Sequence, residues 1–170
     1  MSRLLRAIIR YVTTPDECKV DAVVNGSATK LGCNPNSPPV VSVFKTIIDR
    51  FVGRMSYIRL FSGTLRKDAN LFNVRTGKSQ RIANLFHVRG KELIQTDELT
   101  AGDIGVITKL EDVSTGDTLT SADHPVTIVP PPYPRPLYTV AVTPVSQADS
   151  AKIGTSLASL VEEDPTLKVQ

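Results

Sequence analysis

The sequence predicts a mainly β fold, a small antiparallel β-barrel followed by a partial α+β unit. Two stretches indicate the barrel: residues 53–65, and residues 98–107 together with 115–119. Each is a short alternating or apolar run interrupted by a glycine-bearing turn, which is typical of small antiparallel barrels. A proline-rich stretch, residues 130–136, then precedes a strand, a helix and the start of another strand.

The composition limits the class of protein. A chain of 170 residues with 41% hydrophobic residues is long enough for one or two domains with a buried core. Cys18 and Cys33 are too few for a disulfide framework, and they do not form a metal-binding CxxC motif. The spacings to His87 and His124 do not match a zinc site either. No apolar run is long enough for a membrane span, and no signal-peptide pattern is found at the N-terminus, so we expect a cytoplasmic protein.

Charge is unevenly distributed along the chain. Between positions 41 and 91 eleven basic residues face two acidic residues, whereas between 92 and 130 eight acidic residues face one basic residue. Such grouping predicts an oriented electric field with one side suited to phosphate backbones. The alternative is that the two halves pair across one barrel and cancel.

The elements are expected in the following order. Residues 3–12 form an amphipathic helix with Leu4, Leu5, Ile8 and Val12 on one side, and residues 15–39 are a connector with only short strand pieces such as 22–24. About six short strands follow, at 40–48, 55–61, 71–74, 79–88, 104–110 and 126–129. Residues 79–88 also fit helical spacing, so that assignment stays open.

Beyond the proline-rich linker the pattern predicts a β-α-β unit. Residues 137–142 are expected as a strand and residues 146–161 as a helix with Ser146 as its N-cap. The buried stripe of that helix is expected to contain Ile153, Leu157, Leu160 and Val161, and residues 167–169 begin another strand. So small a unit has too few strands to be stable alone, which indicates a truncated domain.

The motif search finds no active site. Gly77-Lys78-Ser79 has the ending of a phosphate-binding loop, but Phe72 stands where that loop needs its first glycine. A hairpin is therefore predicted there, and no catalytic, cofactor-binding or metal-binding residue is expected in this chain. The best candidates for contacting RNA phosphates are Arg75, Lys78 and Arg81 on the basic hairpin; a merely solvated loop is the alternative.

Several ordered segments resemble elongation factor G. They are Val-Phe-Lys at 43–45, the Gly-Arg of 49–54, Ser-Gly-Thr-Leu at 62–65, Ala-Gly-Asp-Ile-Gly at 101–105, Thr-Gly-Asp-Thr-Leu at 115–119 and Glu-Glu-Asp-Pro-Thr at 162–166. The resemblance implies a translation-factor-type domain II barrel at 40–130. It also implies a remnant of the last GTP-binding-domain helix at 1–14, the connector at 15–39, and the linker with the first β-α-β of a ferredoxin-like domain III at 131–170.

The same resemblance implies a non-catalytic, ribosome-docking fragment of a factor whose whole form performs GTP-dependent translocation. GTP and magnesium would belong to that parent factor, since the GTPase loops have no counterpart here. The implied partners are small-subunit ribosomal RNA and the missing domains of the factor, with no membrane and no DNA. Arg75, Lys78 and Arg81 would face the RNA, and Arg54 and Arg59 would face either the RNA or the GTP-binding domain.

Two alternatives remain open. The chain is similar enough to ribosomal-protection, release or recycling factors that a fragment or reduced form of such a GTPase fits too. An independent single-stranded-RNA-binding barrel is the second alternative, and its expected mark is an exposed aromatic platform. Tyr57, Phe61, Phe72 and Phe86 are available for one, but their alternation favours core positions.

Overall fold

The structure is a computed structural model that describes residues 2–49 and 51–169. Its elements, in chain order, are α1 (Ser2–Tyr11), β1 (Lys19–Val24), β2 (Ser27–Gly32), β3 (Val40–Asp49), β4 (Gly53–Ser62), β5 (Thr64–Arg66), β6 (Asn70–Asn73), β7 (Lys78–Arg81), β8 (Leu85–Arg89), β9 (Glu92–Gln95), β10 (Glu98–Thr100), β11 (Ile104–Thr108), β12 (Thr118–Thr120), β13 (Val126–Ile128) and α2 (Gln147–Glu163). The described strands confirm a mainly β fold, and they are more numerous than the six predicted.

Eight strands form one antiparallel sheet in the order β7-β6-β12-β3-β4-β11-β8-β9. A two-stranded ladder of β10 and β5 extends it, because β5 follows β4 after a single residue and β10 precedes β11. The two ladders are joined by backbone hydrogen bonds from Leu60 N to Asp103 O (3.0 Å) and from Gly102 N to Leu60 O (2.7 Å). The chain therefore bends at the β4–β5 and β10–β11 junctions at the same place, where these hydrogen bonds hold the two junctions together.

The sheet curves around a single apolar core. Side chains from β3, β4, β5, β6, β8, β10, β11 and β12 meet there, among them Val41, Ile58, Leu60, Leu71, Leu85 and Leu119. Burying each such side chain stabilises the fold by about 1.5–3 kcal/mol. In β4, Ile58 and Leu60 face this core while Tyr57, Arg59 and Phe61 lie on the opposite face and are half-buried, so the strand alternates as expected but places the two aromatic residues outside the main core.

Strand pairing among the described residues does not complete a ring, because β7 and β9 are left as the two edges of the main sheet. Single backbone bonds prolong two of the ladders instead: Lys67 N donates to Asp97 O beyond β5 and β10, and Ile82 N donates to Ala69 O beyond β6 and β7. The predicted β-barrel is therefore observed as a curved, open sheet with a two-stranded extension. Short edge strands of four residues leave few backbone groups for a continuous closing ladder.

The predicted connector at 15–39 contains a β-hairpin. β1 and β2 are joined by Asn25-Gly26, with φ of 51° and 80°, the conformation that two-residue hairpin turns require. β1 also pairs with β13, and this three-stranded sheet buries a second small cluster of Ala22, Val40, Val126 and Ile128. Within the connector only Ala22 is a fully buried apolar residue, which is why the pattern there predicted no more than the short piece at 22–24.

Residues 79–88 resolve as strands rather than a helix. β7 and β8 are separated by residues 82–84, and Ile82 in this short connection is buried in the main core. The hairpin predicted around residues 75–78 is confirmed: β6 pairs with β7 from Asn70↔Arg81 to Asn73↔Lys78.

The two helices agree with the sequence, but the strands predicted around the second do not form. α2 is capped by Ser146, whose Oγ accepts from Asp149 N at 3.2 Å. Residues 137–142 and 167–169 have no strand pairing, and Leu137 and Tyr138 are 99% and 84% exposed. An alternating sequence becomes a strand only beside a partner, and no described residue supplies one. The β-α-β unit is therefore represented by its helix, whose stripe is half-buried, with Leu160 exposed.

Gly63 controls the bend between β4 and β5, and we predict that Gly63→Ala is strongly destabilising. Its φ is +79°, and an added Cβ would lie 2.6 Å from Pro39 Cα and from Ser37 O, both backbone atoms. The expected loss is roughly 2–4 kcal/mol in the free energy of unfolding, from left-handed strain plus steric overlap. Urea unfolding would measure it.

Gly77→Ala is the matched control, because Gly77 also has a positive φ (+70°) but a Cβ there meets open space. It should cost only about 1 kcal/mol. Equal losses for the two variants would show that overlap at Gly63 does not contribute.

Candidate nucleic-acid interface

The basic hairpin is built on Asn73, the last residue of β6. Its Oδ1 accepts from Arg75 N (2.9 Å) and Thr76 N (3.4 Å), and its backbone O accepts from Gly77 N (2.9 Å). A buried asparagine thus fixes the loop from which Arg75 projects and after which Lys78 begins β7.

Arg75 forms a tight ion pair with the buried carboxylate of Asp117. Its Nη2 donates to Asp117 Oδ2 at 2.8 Å, and its Nε donates to Oδ1. Asp117 Oδ2 also accepts from Asn73 Nδ2 and from Ser114 N, both at 2.9 Å. This four-donor arrangement joins the hairpin to the loop before β12.

The electrostatics at this carboxylate follow from its donors. Burial raises the pKa of Asp117, but hydrogen bonds from Arg75, Ser114 N and Asn73 outweigh burial, so the net pKa lies below the ordinary 3.8. The hydrogen bond to Asp117 correspondingly raises the pKa of Arg75. Both groups are charged at neutral pH, and the pair is a structural unit of the fold.

Lys78 and Arg81 also have carboxylate partners, but at the surface. Lys78 Nζ pairs with Asp112, whose hydrogen bond raises the pKa of the lysine, while Lys78 lowers the pKa of Asp112. Arg81 Nη2 lies 2.9 Å from Asp68 Oδ1. The basic side chains are 62% and 71% exposed, so both pairs are in contact with solvent. Exposed pairs of this kind contribute little to stability, because solvent and salt screen them.

The predicted charge segregation is partly cancelled by pairing between the two halves. Among the described residues, four ion pairs join a basic residue of 41–91 to an acid of 92–130: Arg66–Glu98, Arg75–Asp117, Lys78–Asp112 and Arg89–Glu92. Arg50, one of the eleven basic residues, lies outside the described residues. The fold therefore neutralises part of the basic block with part of the acidic block.

The two other candidate arginines lie on β4 in different settings. Arg54 Nη2 is 3.1 Å from Glu162 Oε2 of α2, and the neighbouring Glu163 Oε1 accepts from Ile48 N at 2.6 Å. Arg54 therefore holds the C-terminal helix on the β3–β4 hairpin. Arg59 instead lies over the ring of Phe61, with 5.4 Å from Cζ to the ring centroid, and has no ion pair among the described residues.

Gly77-Lys78-Ser79 leads into a strand, not a helix. A phosphate-binding loop presents its ligand to a helix N-terminus, so the local structure is that of a hairpin turn. Within residues 2–49 and 51–169, no group of three or more His, Cys, Asp or Glu side chains is placed to hold a metal ion, and Cys18 and Cys33 are free thiols.

Comparison with known families places the chain. The family model for elongation factor G domain 2 matches residues 38–122, and the model for elongation factor G domain III matches residues 133–170. The chain belongs to the elongation factor G family. The domain 2 match covers the main sheet from just before β3 to β12, and the domain III match covers α2.

A solved structure agrees with this assignment. The chain is similar to a crystal structure of a protein from Thermus thermophilus, with 28% sequence identity and a TM-score of 0.78. The match covers 99% of this chain but only 23% of that one, so the chain spans less than a quarter of its relative's length. In the described part of the chain, neither helix has the length and apolar character needed to cross a membrane.

Sequence reasoning named the five candidate basic residues but missed the acids that hold them. Asp117 lies in the Gly-Asp turn at 116–117, which was used only as a turn signal. It is 42 residues from Arg75, and no local pattern connects the two. The one usable signal was the excess of acid in residues 92–130, which indicated partners without identifying them.

We predict that Asp117→Asn lowers the free energy of unfolding by about 1–3 kcal/mol at pH 7, because a neutral amide cannot accept from all four donors. Urea titration monitored by circular dichroism would measure the loss. The matched control is Asp68→Asn, whose exposed pair with Arg81 should be worth less than about 1 kcal/mol.

The same variant should flatten the acid dependence of stability. The folded-state pKa of Asp117 is depressed, so its contribution is complete above the ordinary value of 3.8 and is lost as the pH falls through the folded pKa. The wild type should therefore lose more stability than Asp117→Asn below that pH. Parallel pH profiles for the two proteins would argue against the network.

Proposed function

We propose that this chain is the non-catalytic, ribosome-docking part of an elongation factor G-like translation factor, and that the whole factor is a cytoplasmic GTPase that drives translocation. The observation that supports this most directly is the domain 2 family match at residues 38–122, which coincides with a rigid curved sheet. A scaffold of this kind is suited to recognition by shape and charge.

The proposed RNA contacts are Lys78 and Arg81 on β7. Both are more than half exposed, and each is paired only with a surface carboxylate. Exchanging Asp112 or Asp68 for a phosphate costs little, because exposed pairs contribute little to stability and are screened by salt. Phosphate contacts of this type set the position and affinity of a complex without reading sequence.

Arg75 and Arg54 have different proposed roles from those two residues. Arg75 is held by a buried carboxylate, and releasing it would leave Asp117 charged and uncompensated. It therefore positions the hairpin, and any RNA contact it makes uses its exposed edge. Arg54 is held by α2 through Glu162, which favours an internal role. Arg59 keeps the proposed role of contacting RNA or a GTP-binding domain, since no described acid neutralises it.

We predict that the double variant Lys78→Glu/Arg81→Glu weakens association of this chain with small ribosomal subunits at least tenfold at low salt. Reversing two charges replaces attraction to phosphates by repulsion. Co-sedimentation at increasing salt would also show a smaller salt dependence for the variant. Arg66→Glu is the matched control, because Arg66 is an exposed arginine paired with Glu98 outside the hairpin. Unchanged affinity of the double variant at low salt would exclude the hairpin from the interface.

We further predict that the chain does not bind GTP in the presence of magnesium. The Gly77-Lys78-Ser79 turn has no following helix to present backbone N–H groups to phosphates. Titration of a fluorescent GTP analogue would test this, and micromolar affinity that is lost in Lys78→Ala would overturn the proposed non-catalytic role.

A further inference from the structure

An apolar groove lies on the outer face of the main sheet. It has a volume of about 500 Å³ and runs across β3, β4 and β11. Phe44, Phe61 and Ile104 line it from the sheet, and Tyr133 closes one side from the proline-rich linker. This volume is in the range of small-ligand sites.

A β-bulge explains why an aromatic side chain lies there. The β3–β4 register shifts between Val43 and Lys45, so Phe44 is the extra residue and faces outward, 46% exposed. Its ring meets that of Tyr57 edge-on, with centroids 6.4 Å apart. Bulges often redirect side chains at functional positions. The sequence alternation favoured core positions for Tyr57 and Phe61. Phe61 is half-buried and packs against the second cluster, whereas Tyr57 is half-buried outside both clusters.

Arg59 is the charged group of the groove. Its cross-strand neighbours are Ser42 on β3 and Ile104 on β11, neither of them acidic. Its Nε is buried and has no hydrogen-bond partner among the described residues. Five other arginines of the sheet region are paired with carboxylates, namely Arg54, Arg66, Arg75, Arg81 and Arg89. Arg59 alone in this group is stacked on an aromatic ring and left without an acid.

An unpaired guanidinium stacked on Phe61, in a groove that also holds the exposed rings of Phe44 and Tyr133, matches one ligand chemistry well. Unstacked nucleobases bind against Phe, Tyr or Arg planes, and the adjoining phosphate pairs with the arginine. An acidic peptide would satisfy the charge but offers no flat ring for the aromatic walls.

We propose that this groove binds one unstacked nucleotide of a single-stranded RNA, with the base against Phe44 and Tyr133 and the phosphate on Arg59, which Phe61 holds in place. The proposal rests on the proposed function only in taking RNA as the partner. It uses none of the hairpin residues, so the two are separable by variants.

The first test uses the wild-type chain and a fluorescently labelled single-stranded oligoribonucleotide of about ten nucleotides, within the usual site sizes. Anisotropy at low salt measures affinity. Because the chain has no Trp, stacking should also quench its tyrosine fluorescence, to which Tyr57 and Tyr133 contribute. Binding without quenching would indicate phosphate contact alone and would overturn the groove assignment, as would the absence of binding.

The second test compares matched variants whose folding is checked by urea unfolding. Phe44→Ala and Arg59→Gln should each weaken oligonucleotide binding about tenfold, the usual effect of losing one stacked or ionic base contact. Phe51→Ala, at a 97% exposed phenylalanine outside the groove, and Arg89→Gln should leave binding unchanged. If Arg59→Gln is unstable, Arg59→Lys keeps the charge but loses planar stacking, and wild-type affinity for it would contradict the proposal.

Two competition arms separate other partners. Duplex RNA of the same sequence and a poly-glutamate peptide are each tested as competitors. If either competes as well as single-stranded RNA, binding depends on charge alone and the proposal is overturned. Lys78→Glu/Arg81→Glu should retain quenching by the oligonucleotide while losing ribosome association. If the double variant loses ribosome association but the oligonucleotide does not quench the wild-type fluorescence, the groove proposal is wrong. The proposed function would still be supported in that case.

Discussion

The buried carboxylate of Asp117 is the interaction on which this region of the structure depends. Its side chain holds Asn73, Arg75 and Ser114, and its backbone O accepts from Val43 N at 2.9 Å, while Gly116 N donates to Val43 O at 2.7 Å. One turn therefore ties β3, the β6–β7 hairpin and the start of β12 together. A charge buried at this point is tolerated only because every donor around it is aimed at it.

This constraint changes which basic residues are available to a partner. An excess of Lys and Arg in the sequence suggested a continuous positive face, but the antiparallel fold brings an acid to most of them. The basic residues differ in kind. Lys78 and Arg81 are exposed and weakly paired, and Arg75 and Arg54 are structural. Arg59 has no ion pair among the described residues and lies over the ring of Phe61. Recognition by this chain is therefore better described by individual sites than by net charge.

The contact between α2 and the sheet shows how a sequence motif acquires a physical role. Glu162 and Glu163, which open the Glu-Glu-Asp-Pro-Thr segment, contact Arg54 and the backbone N–H of Ile48. Asp164 then caps the segment by accepting from Thr166 N at 2.9 Å. The helix thus meets the β3–β4 hairpin mainly through polar contacts at its C-terminal end, while its apolar stripe stays partly exposed.

The sequence by itself determined the local features: alternation in β4, the glycine-bearing turns, the basic hairpin, the Ser146 cap of α2 and the ordered motifs of the elongation factor G family. Only the tertiary structure decided which acid neutralises which base, that Phe44 turns outward at a bulge, that β1 pairs with β13, and that residues 137–142 stay unpaired. The physical reason is range. Side-chain periodicity and turn chemistry act over a few residues, whereas ion pairs and strand ladders join segments tens of residues apart and form only where the chain brings both partners together.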